Sequence, residues 1–205
     1  MDSIASLSAV SPESRKPSAL FVMGVGGSGK STLCEAFVRE ELQRSNSWCI
    51  VDKDVVSAVF APELLRCNGL DPQDRDSEAY MQLCRNLEYA TCLRVAAHQL
   101  ELGCSVVLPG PWTRELLSGA IFSAEMLGLP ACNLRHAFMQ VPPDVLRGHI
   151  VQRNLPRDAW KLANWDEYAE RSDRMLKLAQ LKKLPVIDSK MPLALQLGRL
   201  REIAA

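Results

Sequence analysis

The chain carries no net charge: 24 Lys and Arg balance 24 Asp and Glu. No whole-protein field therefore draws it to nucleic acid or to an anionic membrane, although local basic clusters remain possible. No stretch reaches ~18 uninterrupted apolar residues, so no transmembrane helix is expected. The seven cysteines, Cys34, Cys49, Cys67, Cys84, Cys92, Cys104 and Cys132, form no CxxC pair and no Cys/His pair at zinc spacing. An odd count, with several inside apolar segments, reads as reduced structural thiols in a cytoplasmic protein. A regulatory thiol is the alternative. Residues 1–17 are rich in Ser, Pro and Ala and lack the basic start and apolar middle of a signal peptide. They are expected to be a disordered tail.

What is present is ordinary in bulk. With 205 residues, 47% hydrophobic and 23% charged, the chain suits one domain, residues 18–205, with a core that needs no staples. Short apolar runs at Leu20 to Met23, Trp48 to Val51, Ser105 to Leu108, Leu134 to Val141 and Val186-Ile187 read as strands. Pro109-Gly110-Pro111 is expected to break the third. Helices are expected over Ser31 to Arg44, Ser77 to Leu102 in one piece, Thr113 to Leu127 with Thr113 as N-cap, Pro143 to Arg153, Trp165 to Lys183 and Met191 to Glu202. Residues 55–75 read as a short helix and a loop around Asn68-Gly69. This alternation predicts a three-layer α/β fold, a five-stranded parallel sheet with helices on both faces.

Gly24-Val25-Gly26-Gly27-Ser28-Gly29-Lys30-Ser31 matches G-x-x-x-x-G-K-[ST]. Four fixed positions recur by chance in about one chain of this length in a hundred. Here the match also follows a strand and opens a helix. Such a loop turns its backbone N–H groups toward an anion at a helix N-terminus. Gly24, Gly26, Gly27, Ser28, Gly29, Lys30, Ser31 and Thr32 are thus the candidate nucleotide cradle. Lys30 would reach the β- and γ-phosphates, and the Ser31 hydroxyl would bind Mg²⁺. No Asp stands three residues before a glycine, and Asp52-Lys53-Asp54 has Asp where a GTPase base reader needs Asn or Thr. The third strand ends in Pro109 rather than in the acid usual for a motor ATPase.

Asp52-Lys53-Asp54 follows the second strand. In a doubly wound sheet the ligand site lies at the carboxyl ends of the strands, where the Gly24–Ser31 loop also sits. Phosphoryl transfer needs an oriented acceptor hydroxyl, and a carboxylate in hydrogen-bond reach supplies that. The plainer reading is that these acids end a strand and cap a helix.

The loop with an Asp-x-Asp after strand two resembles the small P-loop kinases of metabolites, shikimate kinase and gluconate kinase. The stretch MGVGGSGKST is especially similar to the gluconate kinase loop. Chloramphenicol-type phosphotransferases, polynucleotide 5′-kinases and zeta toxins share the layout. The resemblance implies a P-loop NTPase fold, ATP and Mg²⁺ as cofactors, Asp52 on the metal and Asp54 as acceptor base. It also implies a helical lid with arginines over the phosphates, for which about 147–163 is the matching stretch. Arg153 and Arg157 are the lid candidates and Arg147 a lesser one, the plainer reading being a solvated basic helix end. Asp188-Ser189-Lys190 falls where related kinases contact adenine.

The exit of the third strand, Pro109 to Glu115, resembles a loop of AAA-type P-loop proteins of the kinase-like group. Trp112 would give the acceptor pocket a flat apolar face and Arg114 would hold an anionic group. A rigid turn with a surface Arg–Glu pair is the equal alternative. Trp160 and Trp165 read as anchors of the lid's end against the core, with contact to a substrate as the alternative, and His98, His136 and His149 as structural or surface residues. Two departures stand against borrowing a substrate. Val55 follows the Asp pair where gluconate kinases carry His, and Ser57 stands where polynucleotide kinases carry Arg.

The sequence therefore points to transfer of the γ-phosphate of ATP to a hydroxyl of a small-molecule acceptor, with nucleic acid and membrane disfavoured as partners. A zeta-toxin-like enzyme, a polynucleotide 5′-kinase and a non-catalytic nucleotide switch are the alternatives. The acceptor and the oligomeric state are left open.

Overall fold

A computed structural model of the chain describes residues 16–205. The expected tail lies outside the described residues except for Lys16 and Pro17, whose carbonyls accept hydrogen bonds from Asn133. Five strands form one parallel sheet: β1 (Ser18–Met23), β2 (Trp48–Ile50), β3 (Ser105–Gly110), β4 (Asn133–Gln140) and β5 (Val186–Asp188), in the order β2-β3-β1-β4-β5. The central β1 is buried throughout, and its alternation splits the core in two. Ala19, Phe21 and Met23 face one layer, and Leu20 and Val22 face the other.

The helices follow the same division. On the side of Leu20 and Val22 lie α1 (Lys30–Gln43) and, at the end of the chain, α10 (Leu193–Ala204), through Leu33, Phe37, Leu197 and Leu200. After β2 come α2 (Lys53–Val56), α3 (Phe60–Cys67), α4 (Glu78–Leu83) and α5 (Arg85–Glu101). After β3 comes α6 (Thr113–Ser118). After β4 come α7 (Pro143–Arg153), a 3-10 turn at Pro156–Asp158, α8 (Ala159–Ala163) and α9 (Trp165–Leu181). Buried residues of α5, α6, α7 and α9 pack on the Phe21 side of the sheet. The expected three-layer α/β P-loop NTPase architecture is the observed one.

Three local expectations are corrected. The helix expected over Ser77 to Leu102 is two helices with a bend at Cys84, where φ is −106°. Tyr80 and Cys84 pack with Ala61 and Leu65 of α3, whereas Tyr89, Cys92 and Ala96 pack on the sheet. The two halves thus answer to different cores. Strand β3 does not stop at Leu108; Pro109 and Gly110 pair with Val22 and Met23 of β1. Its pairing with β2 ends at Val107, so an open side exists beyond, where a missing N–H costs no ladder bond. Finally, the helix expected over Thr113 to Leu127 is cut at Ser118. Gly119 takes φ 81° as its left-handed cap, and a 3-10 turn at Ala120–Phe122 follows. Thr113 is not the N-cap; Trp112 holds that position in a left-handed conformation.

Trp112 is itself misplaced by the sequence reading. It is 1% exposed and lies edge-on to Phe21 (5.0 Å) and Tyr89 (4.7 Å). Its indole N–H donates to the Leu108 carbonyl at 3.1 Å. It is a keystone of the sheet–α5 layer and walls no pocket. Trp112→Ala is expected to cost about 3–5 kcal/mol of stability. The effect should appear as a lower urea midpoint at unchanged slope; a loss below about 1 kcal/mol would refute the packing assignment.

Candidate active site

The turn from β1 into α1 runs beneath α7 and beside β4. Gly27 has φ 91°, and a Cβ there would stand 2.9 Å from Ile150 Cγ1 and 3.1 Å from Leu146 Cδ1. At Gly24, with φ 144°, a Cβ would meet Ser28 Oγ at 2.9 Å and the Met139 carbonyl at 3.0 Å. Both the conformation and the space therefore demand glycine. Lys30 folds back over the loop; its Nζ donates to the Val25 carbonyl at 2.7 Å and to Ser28 Oγ at 3.3 Å. Burial lowers its pKa to about 8, against the raising influence of Asp54 and Asp52. A buried ammonium with no carboxylate in ion-pair range is a seat waiting for an anion.

Asp52 and Asp54 stand at the carboxyl end of β2. Asp52 does cap a helix, accepting from the Asp54 backbone N–H at 2.8 Å. Its other oxygen accepts from Ser31 Oγ at 3.3 Å, so loop and strand end are joined. Burial pushes the Asp52 carboxyl up, with the Asp54 charge adding to it and the Asp54 N–H, Lys53 and Lys30 opposing. A dication beside it would restore its charge. Asp54 behaves oppositely. Burial alone would raise it, but Lys53 Nζ at 2.6 Å and Arg157 at 2.9 Å hold it down at about 2. Lys53 is in turn braced by Glu88, which is wholly buried and accepts from Tyr80 Oη at 2.6 Å and Ser57 Oγ at 3.0 Å.

The segment after α7 closes over the loop. Arg153 forks onto Asp158, with Nε and Nη2 at 2.5 and 2.6 Å, and Lys161 Nζ reaches the same carboxylate at 3.0 Å. Lys161 and Arg171 of α9 also flank Asp76, at 3.4 and 3.5 Å. That strap ties the segment to the stretch before α4. Tyr168 Oη donates to the Gly26 carbonyl at 2.7 Å, and His149 Nδ1 lies 2.9 Å from the Gly27 carbonyl. Arg147 is turned away, 5.7 Å over the Trp165 ring.

All of this encloses one cavity of about 960 Å³. Of the sequence-predicted residues, Gly26, Gly27, Gly29, Lys30, Ser31, Thr32, Asp52, Asp54, Arg114, Arg153 and Arg157 line it. Gly24 and Ser28 are buried behind the loop as supports, Trp112 is in the core, and Asp188-Ser189-Lys190 does not reach the cavity. Among the described residues, no three His, Cys, Asp or Glu side chains gather as a metal site. The Ser31–Asp52 pair instead fits a hydrated Mg²⁺, which draws most of its ligands from water and phosphate. Sequence reasoning missed Tyr168, Arg75 and Asp76, which no local pattern marks, and did not single out Lys161 within the basic stretch at 147–163. His149, expected from the sequence to be a structural or surface residue, instead lines the cavity beside the Gly27 carbonyl.

A parallel sheet with a glycine turn and a lysine at its carboxyl edge defines the P-loop nucleoside-triphosphate-binding fold. Residues 20–175 match the protein family described as AAA domain, and the chain belongs to that family. No curated protein matches the sequence. The fold is similar to that of the APS kinase of Mycobacterium tuberculosis in complex with AMPPNP and APS. The two superpose with a TM-score of 0.57 at 16% identity, over 92% of this chain and 98% of that one. It is also similar to a gluconokinase from Sinorhizobium meliloti, with a TM-score of 0.52 at 19% identity over 93% and 95% of the two chains. The chain thus has the fold of P-loop kinases. No helix among the described residues is long and apolar enough to cross a membrane.

Two predictions test this geometry. Gly27→Ala, strained in φ and crowded by Ile150, should cost at least about 1 kcal/mol, visible as a drop in Tm of several degrees. An unchanged Tm would contradict the close approach of α7. For Asp158, burial would raise the pKa, but hydrogen bonds from Arg153 and Lys161 prevail and hold it below the ordinary carboxylate value. A carboxylate depressed by folding stabilises fully above its unfolded pKa and loses that contribution as pH falls through its folded one. Asp158→Asn should therefore be less stable than wild type by about 3 kcal/mol at pH 7, with the gap narrowing below about pH 4. A gap that stays constant into acid would assign the loss to packing alone.

Proposed function

We propose that this protein is an ATP-dependent kinase that transfers the γ-phosphate of ATP to a hydroxyl group of a small molecule, with Mg²⁺. The observation that carries the reading is the convergence of Lys30, the Ser31–Asp52 pair and Asp54 on one cavity at the carboxyl edge of the sheet. In this reading residues 18–205 act as one kinase domain in the cytoplasm, with about 147–163 as its lid. The seven free thiols are in keeping with a reducing compartment.

Chemically, the backbone N–H groups and Lys30 bind and orient the triphosphate. Mg²⁺, held by Ser31 and through water by Asp52, would offset phosphate charge. The acceptor oxygen forms its bond to the γ-phosphorus as the bond to the β–γ bridging oxygen breaks. Asp54 accepts the hydrogen bond of the attacking hydroxyl and receives its proton as the new bond completes. With its pKa near 2, Asp54 contributes more by orientation than by basicity, which a loose transition state tolerates. Arg157 must leave Asp54 to free that oxygen, and its guanidinium is then available to the transferring phosphoryl. Lid closure excludes water, which would otherwise take the phosphoryl group.

The test is transfer of labelled γ-phosphate to a metabolite extract, with Lys30→Ala as the blank. Asp54→Asn should lower transfer by about 10²-fold or more while AMPPNP binding stays within about threefold. Full transfer by Asp54→Asn would remove Asp54 from the acceptor site. No transfer by wild type, with AMPPNP bound normally, would favour the non-catalytic switch.

A further inference from the structure

Carbonyl oxygens carry partial negative charge, so a loop that cradles an anion must turn them away or cover them with donors. Three successive carbonyls of the β1–α1 turn are each met by a donor. The Val25 carbonyl accepts from the Ser28 N–H at 3.2 Å and from Lys30 Nζ at 2.7 Å. The Gly26 carbonyl accepts from Tyr168 Oη at 2.7 Å, and His149 Nδ1 lies 2.9 Å from the Gly27 carbonyl. The first carbonyl is covered from within the loop. The other two are held from α9 and α7, 142 and 122 positions along the chain.

Both remote groups are fixed as donors. Tyr168 is buried, and burial pushes its phenol pKa up, so the hydroxyl keeps its proton. Its ring lies 6.1 Å from that of Trp165, and Lys161 Nζ stands 5.9 Å from its centre. A Cβ at Gly26 would crowd the same hydroxyl at 3.1 Å, so the contact favours a bare position there. A carbonyl only accepts, so His149 Nδ1 carries the proton of that contact. A trans peptide points its N–H opposite to its C=O. Holding the Gly26 carbonyl therefore sets the direction of the Gly27 N–H, which has no acceptor among the described residues. Holding the Gly27 carbonyl likewise steadies the next peptide, whose Ser28 N–H closes the turn on Val25.

We propose that Tyr168 and His149 are positioning residues for nucleotide binding: their hydrogen bonds to the Gly26 and Gly27 carbonyls mask the oxygens that would repel a triphosphate and hold the loop in the form whose N–H groups receive it. This rests on the nucleotide-binding part of the reading above and is independent of the acceptor and of the transfer step. A glycine-rich turn has many conformations to lose, and bonds that order it in advance reduce what the ligand must supply. The same two bonds flank residues 154–164, so the stretch carrying Arg157, Asp158 and Lys161 is tied to the loop at both ends.

The test titrates the full chain with AMPPNP and Mg²⁺, and measures tripolyphosphate with Mg²⁺ as its competitor. Tyr168→Phe keeps the ring and removes only the donor. His149→Leu removes the imidazole, whereas His149→Asn places an amide N–H where Nδ1 stands. Tyr168→Phe and His149→Leu should each raise the AMPPNP Kd by about tenfold, and the tripolyphosphate constant by the same factor, because the loss lies in the phosphate cradle. His149→Asn should stay within about threefold of wild type, a recovery that a space-filling role for residue 149 would not produce. An unchanged Kd in either Tyr168→Phe or His149→Leu would overturn the proposal and leave the nucleotide loop standing. So would a loss in His149→Asn equal to that in His149→Leu, or a loss for AMPPNP with none for tripolyphosphate. If Tyr168→Phe does not fold, the His149 pair decides by the same outcomes. No AMPPNP binding by wild type would overturn both readings.

Discussion

The passage of the β1–α1 turn beneath α7 is the constraint on which the site depends. There is no room for a side chain at Gly27 between the backbone and Ile150, and none at Gly24 against β4. Because these positions are bare, α7 can lie on the loop. Because α7 lies on the loop, the segment that follows it is carried across the cavity mouth. His149 and Tyr168 then fasten this covering to the Gly27 and Gly26 carbonyls. The glycine requirement of the loop and the placement of the segment after α7 are thus one packing fact.

Charge is arranged in the same economical way. A chain with no net charge gathers ten cations and only three acids, Asp52, Asp54 and Asp76, on one cavity wall. Most of the cations are offset by carboxylates on the same or the neighbouring element, such as Glu115 and Asp158. Buried charges survive only when paired or when a ligand completes them. The pairings explain how the site is held together without ligand. Arg153 is paired with Asp158 and Arg157 with Asp54, so protein contacts alone place both guanidinium groups.

Much of this was legible from residues alone. The alternation of apolar runs and helical spacing announced the parallel three-layer fold, because strand and helix periods differ and each element carries its own. The nucleotide loop was readable because its chemistry depends on consecutive residues. Asp52 and Asp54 were readable because the end of a strand is a local event. The failures share a cause. Helix 77–102 has unbroken helical spacing, yet its two ends bury against different clusters. Trp112 stood beside Arg114 in a loop that suggested a pocket wall. Its left-handed backbone turns it inward instead, onto Phe21 and Tyr89.

The sequence by itself determined the class of fold, the glycine cradle with Lys30 and Ser31, and the presence of two carboxylates at the end of strand two. Each of these is encoded within a short span of backbone. The tertiary structure alone decided which charges meet. Arg157 lies 103 positions from Asp54, and Arg171 lies 95 positions from Asp76, yet both pairs close at the cavity. Ion pairs of that kind depend on the crossing of helices over a sheet edge, and no local pattern carries that geometry.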